Sequence, residues 1–389
     1  MSTETTYDYI IAGAGGAGLS LLHYLLKSPL LSNRSILVID QNLNKTNDRT
    51  WCYWEQGWGT FDAIVTKKWS RISIHQGAHN YFLPTHPYHY KMIQGIDFYN
   101  QIFELAGKFQ NVQFKEATVK EIETFEGKGV VTWEGGSASA QYVFSSLLQK
   151  DWLYTISHSA PQIPFLWQHF KGKLIEYDQP VFDQETARLM DFNVDQQGAT
   201  GFMYVLPLSS TKALVEYTLF SKHILLESFY DEQIDLYLEK SHPGLNYKIL
   251  HAEIGAIPMT TQSMEKSKAP IYVIGTLGNA IKPSTGFGFH FIQEQTSGIV
   301  HQLEKNLPVN TEVHTTRHHF YDAVLLDILY YNKMKGSEIF SRIFAKNKAS
   351  TVFKFLSNTS SIKEDIQIMR TLPTWLFLRT AVKLMLRRP

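Results

Sequence analysis

The chain has one cysteine, Cys52, in 389 residues. That excludes an internal disulfide framework and any multi-cysteine zinc or iron–sulfur centre, and it fits a reducing cytoplasm. A surplus of either charge is missing too: 37 Lys and Arg stand against 36 Asp and Glu, net +1. No global basic field exists to attract nucleic acid. Nor is there an uninterrupted apolar run of about 18 residues, the length that spans a bilayer. The nearest candidate, close to the C-terminus, is broken by Arg379 and Lys383. The first residues are polar and pass directly into a strand pattern, without the regions of a signal peptide. Ring surface, by contrast, is abundant: Phe 24, Tyr 20 and Trp 8 make 13% of the chain. That exceeds what a routine core requires and points to something large and apolar being held.

Residues 7–40 read as an apolar strand, a glycine turn, an apolar helix stopped near Pro29, and a second apolar strand. This is a βαβ unit. Gly13, Gly15 and Gly18 supply G-x-G-x-x-G, with Gly16 inside the turn. The glycines allow a tight turn, close approach to a pyrophosphate and close helix–sheet packing, with phosphate at the helix N-terminus. Asp40 ends the second strand about 20 residues beyond Gly18, where a carboxylate accepts from ribose hydroxyls. A second strand–turn–helix pattern at Ile271–Phe289 carries Gly275, Gly278 and Gly286. An early dinucleotide motif paired with such a late segment predicts FAD, the late turn reaching the ribityl chain and ring system. Between the two lie alternating strand patterns, including a hairpin over residues 204–220, and from about residue 305 the chain reads as helical. The predicted fold is α/β. A Rossmann-type FAD-binding domain (1–60, 95–160 and 265–304) is interleaved with a substrate sheet domain (61–94 and 161–264), and a helical region (305–389) follows.

Several side chains are candidates for chemistry. Glu216 sits in a strand with Leu214 and Thr218 on its own face and Val215, Tyr217 and Leu219 on the other. If both faces are buried, its pKa rises and it stays protonated near neutral pH as an acid; the alternative is a carboxylate paired at a sheet edge. The stretch Asp48–Trp54 after the first βαβ unit is dense in rings and holds a charged pair, with Arg49 placed to face the cofactor. Its aromatic members either pack the core or line a pocket, where a ring–cation contact contributes about 0.5–2 kcal/mol. Cys52 lacks an activating neighbour and reads as a packing thiol. His314 and His318 have a metal-ligand spacing, but no further ligand is evident nearby, so no metal is expected. Arg370, Arg379, Lys383, Arg387 and Arg388 make the C-terminal segment basic, with Trp375, Leu378, Val382 and Met385 on another helical face. Such a helix either lies on an anionic bilayer or docks on the body.

The chain resembles the bacterial lycopene β-cyclases along nearly its full length. The resemblance rests on the glycine motif from Tyr7, D-R-T-W-C-Y-W from Asp48, P-Y-H-Y-K-M-I from Pro87, P-V-F-D-Q-E-T-A-R-L-M-D-F from Pro180, Y-V-L-P-L-S from Tyr204, L-V-E-Y-T from Leu214 and G-N-A-I-K-P-S-T-G-F from Gly278. It implies a fold like the aromatic-ring hydroxylases and an antiparallel substrate sheet. It also implies a non-redox reaction in which an acid protonates the linear ψ end of lycopene and the cation closes to a β ring. The family's acid strand commonly has two consecutive acidic residues; the first matches Glu216, and Tyr217 replaces the second. The resemblance further implies reduced FAD as an electrostatic cofactor, with NAD(P)H as its electron source. An anionic flavin about 5 Å from the cation, at an effective dielectric near 20, contributes roughly 3 kcal/mol, about two decades of rate. Trp51, Tyr53, Trp54, Tyr217 and Phe287 are the expected substrate-pocket residues, and lycopene would be drawn from the inner face of the cell membrane by a peripherally bound enzyme. Two alternatives are an FAD-dependent monooxygenase or desaturase acting on an apolar substrate, and a non-catalytic isoprenoid carrier.

Overall fold

The computed structural model describes residues 5–147, 162–262 and 267–386. The first unit is β1 (Thr5–Ala12), α1 (Gly16–Lys27) and β2 (Ile36–Asp40). After it come β3 (Thr50–Gln56), β4 (Lys67–Trp69), β5 (Arg71–Gln76), β6 (His79–Pro84) and β7 (Tyr88–Gln94). α2 (Gly95–Ala106) leads to β8 (Val112–Glu116), β9 (Val119–Phe125), β10 (Lys128–Trp133) and β11 (Gly136–Ser145). β12 (Phe165–Tyr177), β13 (Thr186–Asp191), β14 (Thr200–Pro207), β15 (Lys212–Ser221), α3 (Glu227–Ser241) and β16 (Tyr247–Thr260) form the next stretch. β17 (Ile271–Val273) and α4 (Phe289–Glu304) flank the late glycine segment. Five helices close the described chain: α5 (Thr316–Tyr330), α6 (Gly336–Lys346), α7 (Ala349–Leu356), α8 (Ile362–Met369) and α9 (Thr374–Leu386).

β8, β2, β1, β11 and β17 are parallel, and β10 and β9 extend β11 as an antiparallel ladder. The parallel strands are covered on both sides, so β1 and β2 read as continuous apolar runs. Ile10, Ile11, Val38 and Ile39 are fully buried. α1 and α4 pack side by side on this sheet. A Cβ at Gly18 would overlap the Gly13 carbonyl, and Gly13 itself has φ +103°, so both positions require glycine.

The second sheet runs β16–β12–β15–β14–β13–β5–β6, antiparallel except for the β13–β5 pair. The expected hairpin is β14–β15, with Tyr204 opposite Glu216. Residues 61–94 do not act as one unit of this sheet. β5 and β6 join it, whereas β7 pairs with both β3 and β4 in a separate three-stranded sheet. One face of the large sheet is covered by α3, whose Glu227, Asp231 and Asp235 take Lys171 and Lys173 of β12 at 2.7–3.1 Å. By strand alternation, Gly172 between those lysines faces the opposite way, toward the first layer. α5–α9 pack on the sheet face opposite α3, joining Phe202 and Phe220 to Phe340, Phe344 and Phe353 in one apolar core.

Gly18→Ala is expected to lower the melting temperature by several degrees, because backbone and not a flexible side chain occupies the Cβ position. Unchanged melting would contradict this packing.

Candidate functional site

A cavity of about 310 Å³ opens between the two sheets. Its upper wall is built from Gly15, Gly16, Gly275 and Gly286, and its floor from Glu216, Glu253 and Tyr204 of the substrate sheet. Gly13, Gly18 and Gly278 do not line it. They shape the two glycine turns from behind, and a Cβ at Gly278 would overlap the Val273 carbonyl. Gly275, at φ +69°, sits against the Ala17 Cβ, so the late turn rests directly on the first turn of α1. Its N–H donates to Gln295 Oε1 at 2.7 Å. Asp40 braces the same region: Oδ2 accepts from the Ala14 N–H at 2.6 Å, and Oδ1 accepts from Asn42 N–H and pairs with Lys45 at 3.1 Å.

These residues fit a dinucleotide. The α1 N-terminus and glycine backbone give close access to a phosphate. Gln168 Oε1 has no hydrogen-bond partner among the described residues, although it is buried beside Gly286 in the cavity wall. A ligand carrying an N–H donor there would satisfy it. Arg49 lines the cavity too, held by two hydrogen bonds to Asp48 Oδ2, while Asp48 Oδ1 accepts from the Tyr99 hydroxyl at 3.0 Å.

Glu216 and Glu253 stand on β15 and β16, each directly opposite Gly172 of the strand between them. Thr218 donates to Glu216 Oε1 at 2.7 Å, and Thr50 donates to Glu253 Oε2 at 2.8 Å. Glu216 is enclosed by protein except where it fronts the cavity. Burial first, then the Glu253 charge, raise its pKa to about 8 against the opposing Thr218 hydrogen bond. Burial raises Glu253 to about 7, countered by Thr50 and Arg49. The pair therefore holds a proton near neutral pH. Burial also raises the phenols of Tyr90 and Tyr204, which line the cavity and stay neutral. The Cys52 thiol in the same wall is pushed up by burial and by the two carboxylates, so it is no nucleophile.

Of the expected pocket rings, Trp51 and Phe287 line the cavity. Tyr53, Trp54 and Tyr217 do not, and their assignment is corrected. Tyr217 points to the other face of its strand, fully buried against Phe229 and Tyr230 near α3, with its hydroxyl donating to the Asp195 carbonyl at 2.6 Å. Strand alternation placed it there. Trp54 stacks on Phe353 at 4.6 Å, and Tyr53 packs on Phe289 at 4.7 Å. Both support the cavity from behind. Glu253 was missed: its stretch H-A-E-I-G-A-I-P-M alternates as the Glu216 strand does, which was the available signal. His314 and His318 serve local structure, His314 Nε2 contacting the Asn279 and Ile281 carbonyls and buried His318 contacting Ser360.

Because folding raises the Glu216 pKa, the native state favours the proton. The associated stability is present below the ordinary carboxyl pKa and is lost as pH rises through about 8. Glu216→Gln, neutral at every pH, is therefore expected to melt close to wild type at pH 5 and above it at pH 9. A pH-independent difference in calorimetry would contradict the buried acid.

Solved structures share this architecture. A geranylgeranyl bacteriochlorophyll reductase-like protein from Thermoplasma acidophilum aligns with TM-score 0.61 and 12% identity over 97% of this chain and 98% of that one. HpxO from Klebsiella pneumoniae, solved with FAD and uric acid, aligns with TM-score 0.63 and 14% identity over 92% and 97%. The p-nitrophenol 4-monooxygenase PnpA from Pseudomonas putida DLL-E4 gives TM-score 0.57 and 14% identity over 100% of both chains. These likenesses establish the fold: a Rossmann-type layer with an antiparallel substrate sheet, as in the flavin-dependent hydroxylases. No curated protein sequence matches the chain significantly. Residues 8–382, nearly the entire chain, match the family described as lycopene cyclase protein, and the chain belongs to the lycopene cyclase family.

Proposed function

We propose that the protein is a lycopene β-cyclase that closes the linear ψ ends of lycopene to β rings, toward γ- and β-carotene, without net redox change. The observation that carries this reading is Glu216, a carboxyl group protonated near neutral pH at the floor of a cavity that begins at a dinucleotide cradle. Glu216 protonates the terminal double bond. The resulting tertiary cation is attacked by the inner double bond, and loss of a ring proton completes the β ring. Leu206, Leu214 and Phe287 give the hydrocarbon a dry wall, to which Trp51 adds an aromatic ring. Gly15, Gly16, Gly275, Gly286 and Arg49 would hold FAD, which, when reduced by NAD(P)H, supplies negative charge beside the cation.

The substrate is a membrane hydrocarbon, and α9 suits retrieval from the inner face of the cell membrane. Its Leu376, Phe377 and Leu384 pack on the body, while Trp375 is 77% and Leu386 82% exposed, with Leu378, Val382 and Met385 also exposed. Arg379 and Lys383 share the exposed surface; Arg387 and Arg388 lie outside the described residues. No helix among the described residues is long and apolar enough to cross a membrane. Thus α9 has an inner apolar stripe for docking and a second stripe, flanked by positive charge, for an anionic surface.

In lycopene-accumulating cells, the wild type is expected to yield a blue-shifted pigment of unchanged mass, and Glu216→Gln none while still binding FAD. A product heavier by one oxygen or lighter by two hydrogens would establish a monooxygenase or desaturase instead, and unchanged lycopene would remove the cyclase reading. A double change, Leu378→Glu with Val382→Glu, is expected to weaken sedimentation with phosphatidylglycerol vesicles at least tenfold at unchanged melting temperature. Equal binding of the variant would remove α9 from the membrane contact.

A further inference from the structure

Resting on the cyclase reading, we infer that Glu253 is the base of the reaction, receiving the ring proton and returning it to Glu216 across Gly172. The placement comes from strand register. Glu216 and Glu253 are not neighbours in sequence, yet both are opposite Gly172 in adjacent ladders, on the cavity side of the same three-strand row. Glycine at the centre leaves no β12 side chain between them. A Cβ at residue 172 would lie 3.4 Å from Glu216 Oε2 and 3.1 Å from Leu214 Cδ1, so the Glu216 carboxyl leans over the glycine toward β16. Thr50 fixes Glu253 from the opposite side through its hydroxyl, leaving the carboxyl pointed into the cavity at 7% residue exposure. The acidic residue expected next to Glu216 is therefore not lost to Tyr217. Its counterpart stands on a neighbouring strand.

The steps balance. Glu216 gives its proton to the CH carbon of the terminal double bond, leaving the tertiary cation on the dimethyl carbon, and the ring C–C bond forms as the inner double bond attacks that cation. Glu253 then takes a proton from the ring carbon next to the second cation, and that C–H electron pair becomes the ring double bond. Transfer of the proton from Glu253 to Glu216 restores both groups, so no oxidant, reductant or second acid is consumed. Because the base fixes which ring proton leaves, Glu253 also sets the ring isomer.

The groups that face this pair are Asp48, Arg49 and Cys52 from β3 and its approach, Tyr90 from β7, Tyr204 from β14, and His251 on the Glu253 face of β16. Lys171 and Lys173 of the central strand point away, paired with α3. Arg49 and Thr50 favour the charged form of Glu253, whereas Glu216 has the Thr218 hydroxyl but, among the described residues, no ion pair. The proton accordingly rests on Glu216 while Glu253 is the carboxylate, as an acid and a base require.

The test compares wild type, Glu253→Gln, Glu253→Asp and Glu216→Gln as FAD-loaded proteins on lycopene in vesicles, recording kcat, KM and product isomer from pH 5 to 9.5. Wild type should give a bell-shaped kcat. Glu253→Gln should lose the acidic limb, shift the alkaline limb to lower pH because the neighbouring charge is gone, and drop kcat by about 10²-fold or more at little change in KM. Glu253→Asp should recover part of kcat and the acidic limb. Infrared titration of the carboxyl band should show Glu216 ionising at lower pH in Glu253→Gln, a readout independent of turnover. Glu253→Gln with both limbs in place, whatever its rate, or with an unshifted Glu216 band, would overturn the assignment while leaving Glu216 as the acid. Absence of a cyclised product from wild type would instead overturn the cyclase reading and this proposal together.

Discussion

A neutral carboxyl group has to be kept out of water at one point of the fold, and much of the architecture follows from that constraint. Glu216 holds its proton because the strands on both sides, the rings of Tyr90 and Tyr204, and the carboxylate of Glu253 make ionisation costly. Had a lysine faced it, the same burial would have produced an ion pair of the kind formed by Lys91, Asp62 and Glu55 elsewhere in the molecule. The two lysines of β12 are turned toward α3 and neutralised there, so the cavity side of the row carries acids and a glycine. Alternation along a single strand thus separates a solvating face from a desolvating one.

The helical region is part of the same enclosure. Lys282, in the loop between Gly278 and Gly286, is buried with Asp322 of α5 at 2.9 Å and donates to Asn358 at 2.8 Å, and Ser284 donates to the same aspartate. This buried, fully engaged pair fixes the loop that presents Gly286 and Phe287 to the cavity. Breaking one partner of such a pair is costly because the other is left charged in a dry site. Phe287 lies edge-on to Trp54, which stacks on Phe353 of α7. A chain of rings therefore runs from the cavity wall into the helices. Part of the aromatic surplus in the composition belongs to this wall and its backing.

Two kinds of information were available in different measure. The βαβ unit, its glycines, Asp40, the late glycine segment and the β14–β15 hairpin were legible because each is local: turn chemistry and periodicity over a few residues decide them. Glu216 was legible as a candidate acid from its strand neighbours, but the local pattern left open a carboxylate paired at a sheet edge. The pocket rings were less so. Trp51 and Phe287 reach the cavity while Tyr53, Trp54 and Tyr217 do not; alternation with Glu216 separates Tyr217, but ring content does not separate the others.

Sequence alone thus determined the dinucleotide cradle, the class of fold and the acid strand, since hydrophobic period and glycine placement act within one element. Tertiary structure alone decided which carboxylates meet and which faces open to the cavity. Register across β15, β12 and β16 brings Glu216 and Glu253 to either side of Gly172, across a long stretch of chain. Such a contact depends on how separate strands align, and a shift by one residue would turn each of these side chains to the opposite face.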